Sequence, residues 1–170
     1  MTDRTLRGKV AVAGVGQTEY YKWGQAPEPE FKLAITAILN ACEDAGISPS
    51  EIDGFASYSN DRSEASRMSA ALGIDDLRLA VMQWGGGGGG AAAAVANASA
   101  AIATGQAECV VVFRALAQGQ FGRFGQGPRN NTISGASAHT VPYGLMSPAQ
   151  MFAMRVTRFM HEHGVRQEAL

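Results

Sequence analysis

Apolar and polar positions follow two different periods along this chain, and the two periods alternate. Short, evenly apolar runs bounded by glycine or polar residues predict buried β-strands. The four predicted strands are residues 10–14, 54–59, 77–83 and 108–116. Between them, apolar residues three or four positions apart predict helices. Alternating strands and helices are typical of an α/β fold with a mixed, mostly parallel sheet.

The predicted helices carry recognisable end signals. One begins at Phe31 and ends at Gly46, another spans residues 63–73, and an alanine-rich one follows the six glycines at 85–90. The stretches SPSE (48–51) and SPAQ (147–150) each place a serine cap three residues before a glutamate or glutamine, which is the capping-box pattern. The second stretch predicts a helix that Gly164 closes.

The sequence divides into two parts of different character. Residues 1–116 hold the alternating strands and helices, and we predict that they form one half-domain. Residues 117–170 hold a long excursion rich in glycine, asparagine and serine, followed by a helix. Such a loop is uncommon unless it carries function or a partner orders it. No strand follows that helix, so we expect a fragment or one half of a split protein.

Composition narrows the classes of function. The 170 residues are 46% hydrophobic and 17% charged, which suits a packed core. Fourteen basic residues face fifteen acidic ones, so no charge excess favours nucleic acid or a membrane surface. The N-terminus lacks the apolar run of a signal peptide, and no stretch has the length of a membrane span. These features predict a soluble cytoplasmic protein.

The six glycines at 85–90 allow three interpretations. A flexible tether would join domains and mix glycine with serine, whereas this run lies between a predicted strand and a helix. A dinucleotide fingerprint should follow the first strand and precede an acidic residue at the end of the next one, but Glu108 opens its strand. The third interpretation is a buried central helix whose start exposes bare N–H groups, for tight packing or to bind a thioester carbonyl, an enolate or a phosphate.

Several segments together resemble the thiolase superfamily. They are GKVAVAGVGQTEYYKWG (8–24), DAGISPSEIDGF (44–55), AIATGQAECVVV (101–112) and PYGLMSPAQMFAMRVTRFMHEHG (142–164). The last segment is similar to sterol-carrier-type thiolases and the related bacterial lipid-transfer proteins. The resemblance implies a thiolase-like fold, and it covers the N-terminal half of such a protein with part of its loop domain.

The resemblance also exposes a difference in chemistry. The nucleophile of the superfamily is a cysteine at the start of the buried central helix, and it would fall near Gly88. Positions 85–90 hold no cysteine, and Cys42 and Cys109 are interpreted as buried structural thiols. An acyl-enzyme is therefore excluded. The resemblance then implies a retro-aldolase that cleaves a β-hydroxyacyl-CoA steroid side chain, with the backbone N–H groups of Gly87, Gly88 and Gly89 stabilising the enolate.

Other residues are weaker candidates. His139 and Tyr143 could line the substrate cavity, although packing is the commoner role of a tyrosine that follows a proline. Arg114, Arg123 and Arg129 could meet the phosphates of CoA, although solvated loop charges are the commoner case. His161 and His163 lie two apart on a predicted helix and point away from each other, so we expect no metal site. The resemblance implies that the general base lies beyond residue 170.

The resemblance implies a set of partners as well. We expect an acyl-CoA substrate with no covalently bound cofactor, and a homodimer through the strand from Arg78 to Gln83. We also expect a small partner built from a zinc ribbon and an OB-fold, and the C-terminal half of the thiolase fold. Two alternatives stay open, namely a noncatalytic lipid- or acyl-CoA-binding protein and a structural half-subunit of a thiolase-like complex.

Overall fold

The computed structural model describes residues 6–59, 61–84, 87–121 and 133–169. They form two compact units, Met1–Gln120 and Phe121–Leu170. The predicted boundary after residue 116 stays a prediction. Within the described ranges, no helix combines the length and the apolar character needed to cross a membrane.

The first unit alternates helices with strands, as the sequence predicts. Its elements are α1 (Glu30–Ala45), β1 (Gly54–Tyr58), α2 (Ala65–Leu72), β2 (Leu79–Gln83), α3 (Gly90–Ala103), β3 (Val110–Val112) and α4 (Gln118–Phe121), which ends one residue past the unit. Both α1 and α2 end at glycines in the left-handed conformation, Gly46 with φ 68° and Gly73 with φ 70°. These are the stop positions that the sequence indicates.

The three strands form a parallel sheet in the order β2-β1-β3. Successive residues of β1 face opposite sides, so Phe55 packs with α1 and α2, while Ala56 packs with α3. The larger core cluster includes Ile38, Met68 and Ile52, which are almost fully buried. Helices therefore cover both faces of the central strand, as in other parallel sheets.

Small side chains allow α3 to lie close to the sheet. Ala94 and Ala98 contact Ala56, and both Ala94 and Ala56 have no exposed surface. Helix α3 buries the face that carries Gly90, Ala94, Ala98 and Ala101, and its opposite face is exposed in this chain. That exposed face consists of Ala91, Ala92, Val95, Ala96 and Ala100.

Residues 10–14 do not form the predicted strand. They belong to no helix or strand, and Val12 is 82% exposed. The segment instead lies along α1, where Gly14 meets Ala41 and the N–H of Val15 donates to Asp44 Oδ2 at 2.8 Å. Local β propensity is present in this run, but a strand needs a neighbouring backbone edge, and none pairs with it among the described residues.

The second unit contains the predicted capped helix. Helix α5 spans Pro148–His163, with a complete capping box between Ser147 and Gln150 and Gly164 in the left-handed conformation at its end. Two short 3-10 turns, Gly135–His139 and Val141–Tyr143, precede it. A further 3-10 turn, Gln167–Ala169, follows α5.

Candidate functional site

The three strands end at the same edge of the sheet, and the glycine run leaves from that edge. Strand β1 ends at Tyr58, β2 at Gln83 and β3 at Val112. Ligands of open parallel sheets bind outside the carboxyl ends of the strands. The topology therefore places the start of α3 where a parallel sheet offers a binding crevice.

The described glycines form a short 3-10 turn, Gly87–Gly89, that leads into α3 at Gly90. The first N–H groups of a helix have no intrahelical acceptor and carry partial positive charge. A Cβ placed at Gly88 or Gly89 would meet no atom within 4 Å. The backbone here is consequently open on the side where a side chain would project, so a carbonyl or enolate oxygen has room to approach.

A tyrosine and an arginine from two neighbouring strands flank this helix start. Tyr58 closes β1 and lies against Gly90. The guanidinium carbon of Arg114, two residues after β3, lies 4.6 Å from the centre of the Tyr58 ring. That distance is within the range of a cation–π contact. Tyr58 and Arg114 are 56 residues apart in the sequence, and the parallel pairing of β1 with β3 brings them together.

Two carboxylates extend the polar cluster next to Arg114. Burial raises the pKa of Asp61, and the negative charge of Glu30 raises it further. Hydrogen bonds from Ser63 and, to a smaller extent, the positive charge of Arg114 oppose this increase in the pKa. Glu30 is 4% exposed and accepts hydrogen bonds from the N–H of Ala117 at 2.6 Å and from Arg62 at 3.2 Å. No motif in the sequence marks these carboxylates, although Asp61 follows β1 at the edge where functional residues collect.

An open groove of about 730 Å³ adjoins the same edge. It runs between the irregular segment 16–24 and residues 114–120. Its lining includes Tyr20, Tyr21, Trp23, Leu33, Tyr58 and Arg114. Aromatic walls with one guanidinium suit a ligand that has a flat apolar part and an anionic or carbonyl group.

The remaining predicted site residues lie elsewhere in the chain. Tyr143 and His139 belong to the second unit, in the two 3-10 turns, and Tyr143 is 86% exposed. Their roles stay predictions. Arg123 and Arg129 fall outside the described residues, so the predicted contact with CoA phosphates also stays a prediction.

Both cysteines are free and sit in the core rather than at the glycine turn. Cys42 is buried on α1, and Cys109 precedes β3 beside the same apolar cluster. Burial raises the pKa of both thiols, with a further increase from Glu51 at Cys42 and from Asp53 at Cys109. A raised pKa disfavours the nucleophilic thiolate. Cys42 is buried as predicted, whereas Cys109 is only partly buried, and the structural role of both thiols stays a prediction.

No protein-family model matches this chain, but two curated proteins are similar to it. The chain is 38% identical over 169 residues to the steroid side-chain-cleaving aldolase of Thermomonospora curvata, covering 96% of this chain and 42% of the relative. It is 35% identical over 165 residues to the 17-hydroxy-3-oxo-4-pregnene-20-carboxyl-CoA lyase of Mycobacterium tuberculosis, covering 94% of this chain and 42% of that protein. The chain thus spans less than half the length of these relatives.

A solved structure named Ltp2-ChsH2(DUF35) aldolase has the same fold. It superposes with a TM-score of 0.76 at 36% identity, covering 95% of this chain and 40% of that one. The predicted resemblance to steroid side-chain aldolases is confirmed, and so is the α/β class with a mostly parallel sheet.

Proposed function

We propose that this chain supplies the thioester-binding part of an acyl-CoA carbon–carbon lyase that shortens a steroid side chain by retro-aldol cleavage. One observation carries the proposal: α3 starts at a sulfur-free glycine turn, open at Gly88 and Gly89, beside the carboxyl edge of the sheet. The likeness to two proteins named as an aldolase and a lyase supports the reaction class.

The reaction needs no acyl-enzyme. A base removes the proton of the β-hydroxyl group, the bond between the carbinol carbon and the α-carbon breaks, and its electron pair forms the thioester enolate. A proton then returns to the α-carbon. The N–H groups of Gly87, Gly88 and Gly89 stabilise the enolate oxygen, because a helix start concentrates unpaired donors and positive potential there.

The lack of a side chain at this turn favours cleavage of a bulky alcohol. A thiol at position 88 would occupy space next to the reacting carbons, whereas glycine leaves that space open. The aromatic residues of the adjoining groove suit a fused-ring substrate, since Tyr20, Tyr21 and Trp23 present flat apolar surfaces. His139 and Tyr143 are proposed as further lining residues, and Arg123 and Arg129 as contacts for the CoA phosphates.

We propose three protein contacts for the working enzyme, which we place in the cytoplasm. Strand β2 lies at the edge of the described sheet, which suits pairing with a second copy across a two-fold axis. The exposed apolar face of α3 suits the C-terminal half of a thiolase fold. The related solved aldolase is named as a pair, Ltp2 with ChsH2(DUF35), which supports a partner subunit. We propose that this partner is a small protein built from a zinc ribbon and an OB-fold.

The test uses tagged chain purified together with the proteins it retains. The complex is incubated with 17-hydroxy-3-oxo-4-pregnene-20-carboxyl-CoA, and products are identified by mass spectrometry. We expect a 17-ketosteroid and propionyl-CoA without added CoA. Thiolysis of ordinary 3-ketoacyl-CoA by free CoA would contradict the proposal, and binding of the steroid thioester without turnover would favour the noncatalytic alternative.

A further inference from the structure

The glycines at the start of α3 are not equivalent. Gly90 is buried, and a Cβ built on it would lie 2.6 Å from Cδ2 and 3.1 Å from Cγ of Tyr58. A carbon cannot approach that closely, so the Tyr58 ring requires glycine at position 90. Gly88 and Gly89 face open space. Packing therefore explains Gly90, whereas it does not explain Gly88 and Gly89.

The Tyr58 ring is itself held by the sheet. Tyr58 pairs with Gln83 in the parallel register, and the next residue, Ser59, donates its N–H to Gln83 O at 2.8 Å. Arg114, which follows β3, stacks on the ring at 4.6 Å. Tyr58 therefore connects the strands with the first turn of α3: its backbone pairs with β2, and its ring contacts Arg114 after β3 and Gly90.

We propose that Tyr58 is a positioning residue for the candidate site. Its ring packs against Gly90 and fixes the first turn of α3, so the N–H groups of Gly88 and Gly89 keep the geometry that a thioester oxygen needs. This proposal rests on the proposed function, in which the N–H groups of the glycine turn bind the thioester oxygen. The ring, and not the hydroxyl group, does the positioning, because the ring carbons make the contact with Gly90.

Hydrogen exchange of the backbone of α3 tests the contact without any ligand. In a regular α-helix the N–H groups of Ala93 and Ala94 donate to the carbonyls of Gly89 and Gly90, so they report on the first turn. In Tyr58→Ala we expect these two amides to exchange about tenfold faster or more, because the first turn opens locally. Ala98, in the middle of the helix, should keep its rate.

The conservative variant supplies the matched control. Tyr58→Phe keeps the ring, so Ala93 and Ala94 should exchange as in the unmodified chain. Unchanged exchange in Tyr58→Ala would overturn the proposal. An equal acceleration of Ala93, Ala94 and Ala98 would overturn it as well, since it would show a general loss of stability rather than local positioning.

A second measurement separates this proposal from the proposed function. The chain is labelled with ¹⁵N-glycine and titrated with propionyl-CoA, with free CoA as the control that lacks the thioester. The unmodified chain and Tyr58→Phe should show shifts of the Gly88 and Gly89 signals with propionyl-CoA alone, and Tyr58→Ala should need about tenfold more of it. No response in the unmodified chain would count against the proposed function, while the exchange result would still decide the role of Tyr58. Equal titrations in all three would overturn the positioning role.

Discussion

Asp53 Oδ1 accepts a 2.9 Å hydrogen bond from the N–H of Cys109, 56 residues further along the chain. Its other oxygen accepts the N–H of Glu108 at 2.8 Å, and its carbonyl accepts the N–H groups of Arg78 and Leu79. Asp53 therefore joins the amino ends of β2 and β3 to the amino end of β1. One buried aspartate sets the register on which the opposite, carboxyl edge depends.

Asp53→Ala should lower the stability of the fold by about 1.5–3 kcal/mol, because two hydrogen bonds to a charged acceptor are lost. Urea unfolding measures the change. The matched control is Asp76→Ala, which removes an exposed partner of the same Arg78. A surface ion pair is worth about 0–1 kcal/mol, so the control should change little. Equal losses of stability in the two variants would show that the hydrogen bonds of Asp53 contribute no more than an exposed ion pair.

The sequence predicts those features that local chemistry determines. Both capping boxes, at Ser48 and at Ser147, are confirmed, because each depends on side chains three residues apart. The glycine stops at 46, 73 and 164 are confirmed for the same reason. The absence of sulfur from the glycine turn is also visible in the sequence, and it indicates the class of chemistry.

Features that depend on distant partners are not predictable in this way. The strand predicted at residues 10–14 fails because its pairing depends on other segments and not on its own apolar run. The contact between Tyr58 and Gly90 joins residues 32 positions apart, and no pattern of apolar residues in the sequence predicts it. Arg114 and Asp61 become candidates for the site only in the folded sheet, because the parallel strands bring their carboxyl ends to one edge.

Alanine substitutions along the glycine run should separate packing from access. Gly90→Ala should destabilise the fold by about 1–3 kcal/mol, because the new methyl group overlaps the Tyr58 ring. Gly88→Ala and Gly89→Ala meet open space, so each should leave stability unchanged or raise it by up to about 1 kcal/mol. Thermal unfolding of the three variants gives the comparison.

A double variant checks the cause of the Gly90 effect. Tyr58→Ala combined with Gly90→Ala should cost less than the sum of the two single changes, because the methyl group then has room. Additive costs would mean that Gly90→Ala acts through something other than the Tyr58 ring.

The contact of the N-terminal segment with α1 should also depend on glycine. A Cβ at Gly14 would lie 2.5 Å from the carbonyl oxygen of Ala41 and 2.8 Å from Cβ of Ala45. Gly14→Ala should therefore detach residues 10–17 from α1 and speed their cleavage by protease at least about tenfold. Val12→Ala, at a position that is 82% exposed, is the control and should be cleaved at the original rate. Unchanged cleavage of Gly14→Ala would disprove the close contact.

Asp61→Asn should remove a pH dependence of stability. Asp61 Oδ2 is buried, without a hydrogen-bond partner among the described residues, and burial raises the pKa of the carboxyl group. The folded chain then holds this proton to higher pH than the unfolded chain, so stability from this group is full below the unfolded pKa and is lost as the pH rises through the folded-state pKa. We expect the stability of the unmodified chain, relative to Asp61→Asn, to fall as the pH rises above the ordinary aspartate pKa of about 4 in urea unfolding. Asparagine still accepts the 2.7 Å hydrogen bond from the N–H of Ser63, so the loop should stay intact. A relative stability that rises over this range would reverse the sign of the effect and show that Asp61 is held ionised by its neighbours.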